Sequence, residues 1–140
     1  MRKRASKGSN TITHGIRVRV EPQYLPHESQ PDLGRFFFAY RVTITNEGDR
    51  RARLHTRHWR IVDADGDERE VNGPGVIGEF PDLAPGESFQ YVSYCPLETE
   101  WGTMEGSYRF ETEDGATLEV EVDRFYLVAE APAPTPISTV

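Results

Sequence analysis

Cysteine is almost absent from this 140-residue chain. Cys95 is the only one, so no internal disulfide can form. A lone thiol fits a reducing compartment. Long apolar runs are missing as well: no stretch approaches the roughly 18 residues that a membrane-spanning helix needs. No apolar segment follows the basic start, so no secretory signal is expected. The expected location is cytoplasmic, away from any membrane. Helical periodicity is the third absence, because apolar residues at i, i+3, i+4 and i+7 never persist for three turns.

Positive charge is scarce beyond the first residues. The net charge is −7, yet residues 1–10 hold Arg2, Lys3, Arg4 and Lys7 and no acid. The other 130 residues therefore carry 12 bases against 23 acids, a balance of −11. An acidic body repels phosphate backbones, which excludes general nucleic-acid binding. Residues 1–11 read as a basic disordered tail. Residues 131–140 are rich in Pro and Ala and read as a second one. One domain is expected over residues 12–130.

What the domain does contain is period-2 alternation. Ile16, Val18 and Val20 predict a half-buried strand stopped at Pro22. Phe36, Phe38, Tyr40, Val42 and Ile44 predict a second, ending at Asn46. A third spans about 52–62 and carries Trp59 as a candidate core residue. Asp65-Gly66 and Asp114-Gly115 read as hairpin turns, and Ala84-Pro85-Gly86-Glu87 as a type II turn. Phe89 to Tyr94, Tyr108 with Phe110, and Leu118 to Val122 mark further strands. After Asp123 the apolar positions slip from even to odd, at Phe125 and Leu127. Such a slip would flip the faces, so a β-bulge is expected near Asp123-Arg124. About seven strands of this kind predict an all-β sandwich of immunoglobulin or fibronectin type III topology, with a small barrel as the alternative.

Gly73, Gly75 and Gly78 satisfy G-x-G-x-x-G, which cradles pyrophosphate when a helix starts at the last glycine. Here Pro81 follows too soon for a helix, and Glu79 stands where a phosphate would sit. The glycines therefore read as permitting positive φ in an inter-strand loop. Together with Arg57-His-Trp59, Asp63-Ala-Asp-Gly66, Leu83-Ala-Pro-Gly-Glu87 and the run from Tyr94 to Tyr108, this string resembles the ApaG family. The likeness covers nearly all of residues 12–127. It implies a fibronectin-type sandwich that binds other proteins, and a link to cobalt and magnesium efflux. Genes of the family often sit beside a diadenosine tetraphosphate hydrolase. No catalytic residues are established for it. Phe80 departs from the family, which commonly has Gln there.

Other chemistry finds little footing. Asp63, Asp65 and Asp67 open like a calcium loop, but Glu68 and Pro74 occupy the positions of its turn glycine and closing glutamate. His55 and His58 are three apart on a strand and point to opposite faces unless a bulge intervenes. Cys95 has aromatic neighbours and no adjacent cation in sequence, which reads as a structural thiol. Glu98 with Glu100, and Glu111 with Glu113, read as solvated strand edges. The segment 98–106 offers Glu100, Trp101 and Met104 as partner contacts, or Trp101 as a lid on the core. No catalytic residue, metal ligand set or cofactor is expected. The expected function is non-enzymatic protein binding through two loops, Gly73, Pro74, Gly75, Gly78 and Glu79 in one and Glu100, Trp101 and Met104 in the other. The alternative is a nucleotide, pyrophosphate or divalent-metal binder. Homodimer formation by edge pairing is left open.

Overall fold

Alternating apolar side chains give nine strands in the computed structural model, which describes residues 7–130. They are β1 (Ser9–Thr13), β2 (Ile16–Tyr24), β3 (Phe36–Asn46), β4 (Ala52–Asp63), β5 (Glu68–Pro74), β6 (Asp82–Leu83), β7 (Ser88–Leu97), β8 (Trp101–Thr112) and β9 (Thr117–Val128). The strands form two antiparallel sheets in a sandwich. One runs β1-β2-β3-β7; the other runs β5-β4-β8-β9, with β6 also paired to β4. The helical content among the described residues is two three-residue 3-10 turns between β2 and β3.

Several boundaries move from their sequence-based places. Ser9, Asn10 and Thr11 lie in β1, paired with Val20, Arg19 and Val18. The ordered chain therefore starts before residue 12, because polar Ser and Thr can still complete a ladder. Residues 1–6 and 131–140, including the proposed Pro/Ala tail, lie outside the described residues. Pro22 does not stop β2, which runs on to Tyr24. It falls beyond Val20, the last residue of β2 paired with β1, so its missing N–H lies on an edge.

The core lies between the sheets. Trp59 sits at its centre, edge-on to Tyr40, Tyr108 and Phe125 at centroid distances of 5.6, 5.9 and 5.8 Å. Each such pair adds about 0.5–1.5 kcal/mol beyond area burial. Phe125 and Leu127 are fully buried, and the bulge that puts them there is present. Met104 pairs with Phe125 but Gly106 pairs with Val122, leaving Asp123 and Arg124 opposite Glu105 alone.

β4 holds a second bulge, which its sequence did not announce. Its register against β8 shifts between Leu54 and Thr56. Ala52 and Leu54 point inward before it, Trp59 and Ile61 after it. His55 occupies the shift, and the loop between β5 and β6 packs against this point.

The sandwich closes unevenly at its two sides. Where β1 meets β9, Tyr126 donates its N–H to the Lys7 carbonyl at 2.9 Å. Glu121 donates to Thr13 Oγ1 at 3.2 Å. On the other side, β7 and β5 are sheet edges among the described residues, bridged by Arg69, which donates to the Pro96 carbonyl at 2.7 Å.

Candidate functional site

The glycine string forms a tight excursion from the edge of the second sheet. Chain leaves the β4 ladder after Pro74 and returns at Asp82. Both ends are pinned at the β4 bulge: Gly75 donates to the His55 carbonyl and Leu54 donates to the Pro81 carbonyl, each at 2.8 Å. Val76 and Glu79 exchange both main-chain hydrogen bonds, at 2.9 and 2.8 Å. Ile77 and Gly78 lie between them at φ +44° and +77°. Two consecutive positive φ values make a type I′ hairpin turn.

The physical roles of the three glycines separate cleanly. Gly75 has φ +60°, and a Cβ there would stand 2.3 Å from the Glu79 carbonyl oxygen. Gly78 needs only its positive φ, since nothing lies within 4 Å of a Cβ. Gly73 makes room for a side chain: the Arg57 guanidinium lies 3.0 Å from where its Cβ would be. Arg57 Nη1 then donates to the carbonyls of Pro74 and Gly75, each at 2.9 Å.

No phosphate cradle results from this geometry. The N–H groups of Gly75, Val76 and Glu79 are all spent on main-chain carbonyls, and no helix starts at Gly78. Val76 plugs into the core while Ile77 stands 57% exposed and Phe80 41% exposed. An apolar tip on a braced turn suits a protein surface.

Met104 leaves the list of contact candidates. It is 1% exposed in the core, because Trp101–Thr112 is a strand and the expected loop shrinks to Glu98-Thr99-Glu100. Trp101, the first residue of β8, is 44% exposed and pairs with Val128 rather than folding over the core. Glu100 is exposed. The two expected loops do not converge. One is pinned to His55, the other adjoins Gly102 opposite Asp63, and eight strand residues span about 26 Å.

The remaining candidates stay apart too. His55 turns to Glu111 at 3.3 Å and His58 to Glu70 at 3.8 Å, so the intervening bulge still leaves them with separate partners. Asp63, Asp65 and Asp67 bring ligand atoms within 4.8 Å of one another. Asp63 Oδ1 is already accepting from the N–H groups of Asp65 and Asp67, at 2.9 and 3.0 Å, as an Asx-type turn does. Cys95 is buried, and burial pushes its thiol up. The sequence-based view of it as lacking a cation is corrected here, since Arg69 Nη2 lies 3.4 Å from Sγ.

Comparison with known proteins fits this arrangement of strands and glycines. A model of the ApaG domain matches residues 26–112. The chain belongs to the ApaG family. Protein ApaG of Methylobacterium sp. (strain 4-46) is 52% identical over 115 residues, covering 82% of this chain and 88% of that one. Protein ApaG of Bdellovibrio bacteriovorus is 53% identical over 114 residues, covering 81% and 90%. A Bordetella pertussis protein solved under the name ApaA has a TM-score of 0.78 and 42% identity, covering 89% of this chain and 97% of that one. These ApaG relatives carry no enzyme name. Among the described residues of this ApaG domain, no helix is long and apolar enough to cross a membrane.

The sequence reading chose this loop and marked Phe80 as a departure from the family, but named neither Ile77 nor Phe80 as a contact residue. The available signal was two large apolar residues flanking Gly78-Glu79, where a solvated turn would normally be polar.

Proposed function

We propose that this ApaG domain is a non-enzymatic binding module that takes a protein partner on the tip between β5 and β6. Ile77 carries the reading. A β-branched residue at φ +44° is a backbone outlier that costs on the order of 1–3 kcal/mol. Its 57% exposure leaves little burial to offset that. Strain of this kind concentrates where a protein recognises something, and Phe80 beside it widens the apolar contact. The part in cobalt and magnesium homeostasis that membership implies then runs through the bound partner.

Affinity capture with full-length wild type, Ile77→Asn and Phe80→Ser tests this. A protein retained by wild type and depleted at least tenfold by both variants, with melting temperatures no lower, is the expected result. Equal recovery by all three sinks the reading. Sedimentation of the same set distinguishes a second copy of the chain from a different partner.

A further inference from the structure

We propose that the cleft between the free edges of the two sheets is a separate binding site, for a small oxyanion attached to a compact apolar group. The cleft lies where β7 faces β4 and β5, on the side of the sandwich that no strand pairing closes among the described residues. Its volume is about 210 Å³, below the roughly 300–1,000 Å³ of sites for drug-sized molecules. It is lined by the apolar Trp59, Ile61 and Met104, with Arg57, Arg69 and Ser93 supplying polar groups.

Of the described arginines without an ion pair, namely Arg35, Arg41, Arg53, Arg57 and Arg69, only Arg57 and Arg69 line the cleft. Arg17, Arg51, Arg60 and Arg124 each sit against a carboxylate. Arg57 and Arg69 have no carboxylate within salt-bridge reach among the described residues, although the chain as a whole is acidic. Their hydrogen bonds use one nitrogen each: Nη1 of Arg57 on the Pro74 and Gly75 carbonyls, and Nη2 of Arg69 on Cys95 Sγ and the Pro96 carbonyl. Those bonds hold both guanidinium groups in place without cancelling their charge. A fixed guanidinium fork with spare N–H groups matches the paired oxygens of carboxylate or phosphate. The apolar lining asks for a hydrophobic body on the same molecule. Burial raises the pKa of the Tyr40 hydroxyl, which also lines the cleft, and a hydrogen bond with Ser93 opposes that shift.

This site shares Arg57 with the base of the β5–β6 excursion but uses neither Ile77 nor Phe80, so its failure leaves the partner reading untouched. The full chain is titrated at constant ionic strength with benzoate, phenyl phosphate, inorganic phosphate and benzyl alcohol, while arginine Nε–H and backbone amide NMR signals are followed. Saturable shifts at Arg57, Arg69 and Cys95 with benzoate or phenyl phosphate, but not with benzyl alcohol, are expected. Whichever of the two ligands binds tighter identifies carboxylate or phosphate as the head group. Arg69→Gln, an exposed position whose loss leaves the core intact, should weaken binding at least tenfold, and Arg57→Gln should do the same. Inorganic phosphate giving equal shifts, shifts lying elsewhere, or Arg69→Gln binding as wild type does would each overturn the proposal.

Discussion

Arg57 lies flat against Gly73, its cross-strand partner, with its guanidinium 3.0 Å from the place a Cβ would take. The first glycine of the string therefore exists for an arginine of this same chain. Once seated, that arginine satisfies two carbonyls of the excursion and presents charge to the inter-sheet cleft.

Gly73→Ala should act through Arg57 rather than through the backbone, because Gly73 is not among the positive-φ residues. The methyl displaces the guanidinium and strips two carbonyls of their donor. A loss of about 1–3 kcal/mol is expected, read from urea midpoints. In the double variant with Arg57→Met the Gly73 substitution should add little, since its target is already gone.

Ile77→Asn should raise stability by about 1 kcal/mol, because Asn tolerates positive φ better than a β-branched residue. The same change should abolish partner retention. Stabilisation with loss of binding marks a strained recognition residue; destabilisation would show that Ile77 is held by packing instead.

Gly106→Ala tests the close approach of β8 to β4 beside the β8–β9 bulge. An added Cβ would stand 1.9 Å from the His58 carbonyl oxygen, which belongs to ladder backbone and cannot swing away. The loss should reach about 3 kcal/mol, the upper end of overpacking effects, as a lowered denaturation midpoint. Gly78→Ala, facing open space, should cost less despite its positive φ.

The alkaline limit of stability follows from buried hydroxyls. Tyr91 and Tyr108 share a hydrogen bond at 2.5 Å, and burial holds both, with Tyr40, above the ordinary tyrosine range. The unfolded chain loses these protons from about pH 10, while the folded one keeps them. Stability is thus fully present below that pH and falls as pH rises towards the folded values. Denaturation midpoints should drop steeply above about pH 10, with tyrosinate absorbance lagging until unfolding. Tyr91→Phe should flatten the drop.

Alternation was legible wherever one face of a strand is buried. Phe38 to Ile44 declared their strand, and the even-to-odd slip before Phe125 declared its bulge, because side-chain period is a local property. The β4 bulge was not legible, since four polar residues, none of them buried, fill His55 to His58 and mask the change of phase. How far apart Gly73–Glu79 and Glu100–Met104 lie was not legible either, because neighbours in a loop list need not be neighbours in space.

The sequence by itself determined two apolar sheet faces, their turns and the lack of a helix that could turn the glycine string into a phosphate loop. Only tertiary structure decided that Met104 is core, that Ile77 is strained and outward, and that Arg57 and Arg69 flank one cleft. Burial and charge pairing depend on contacts between strands distant in the chain, and no local pattern encodes which side chain will be left without a partner.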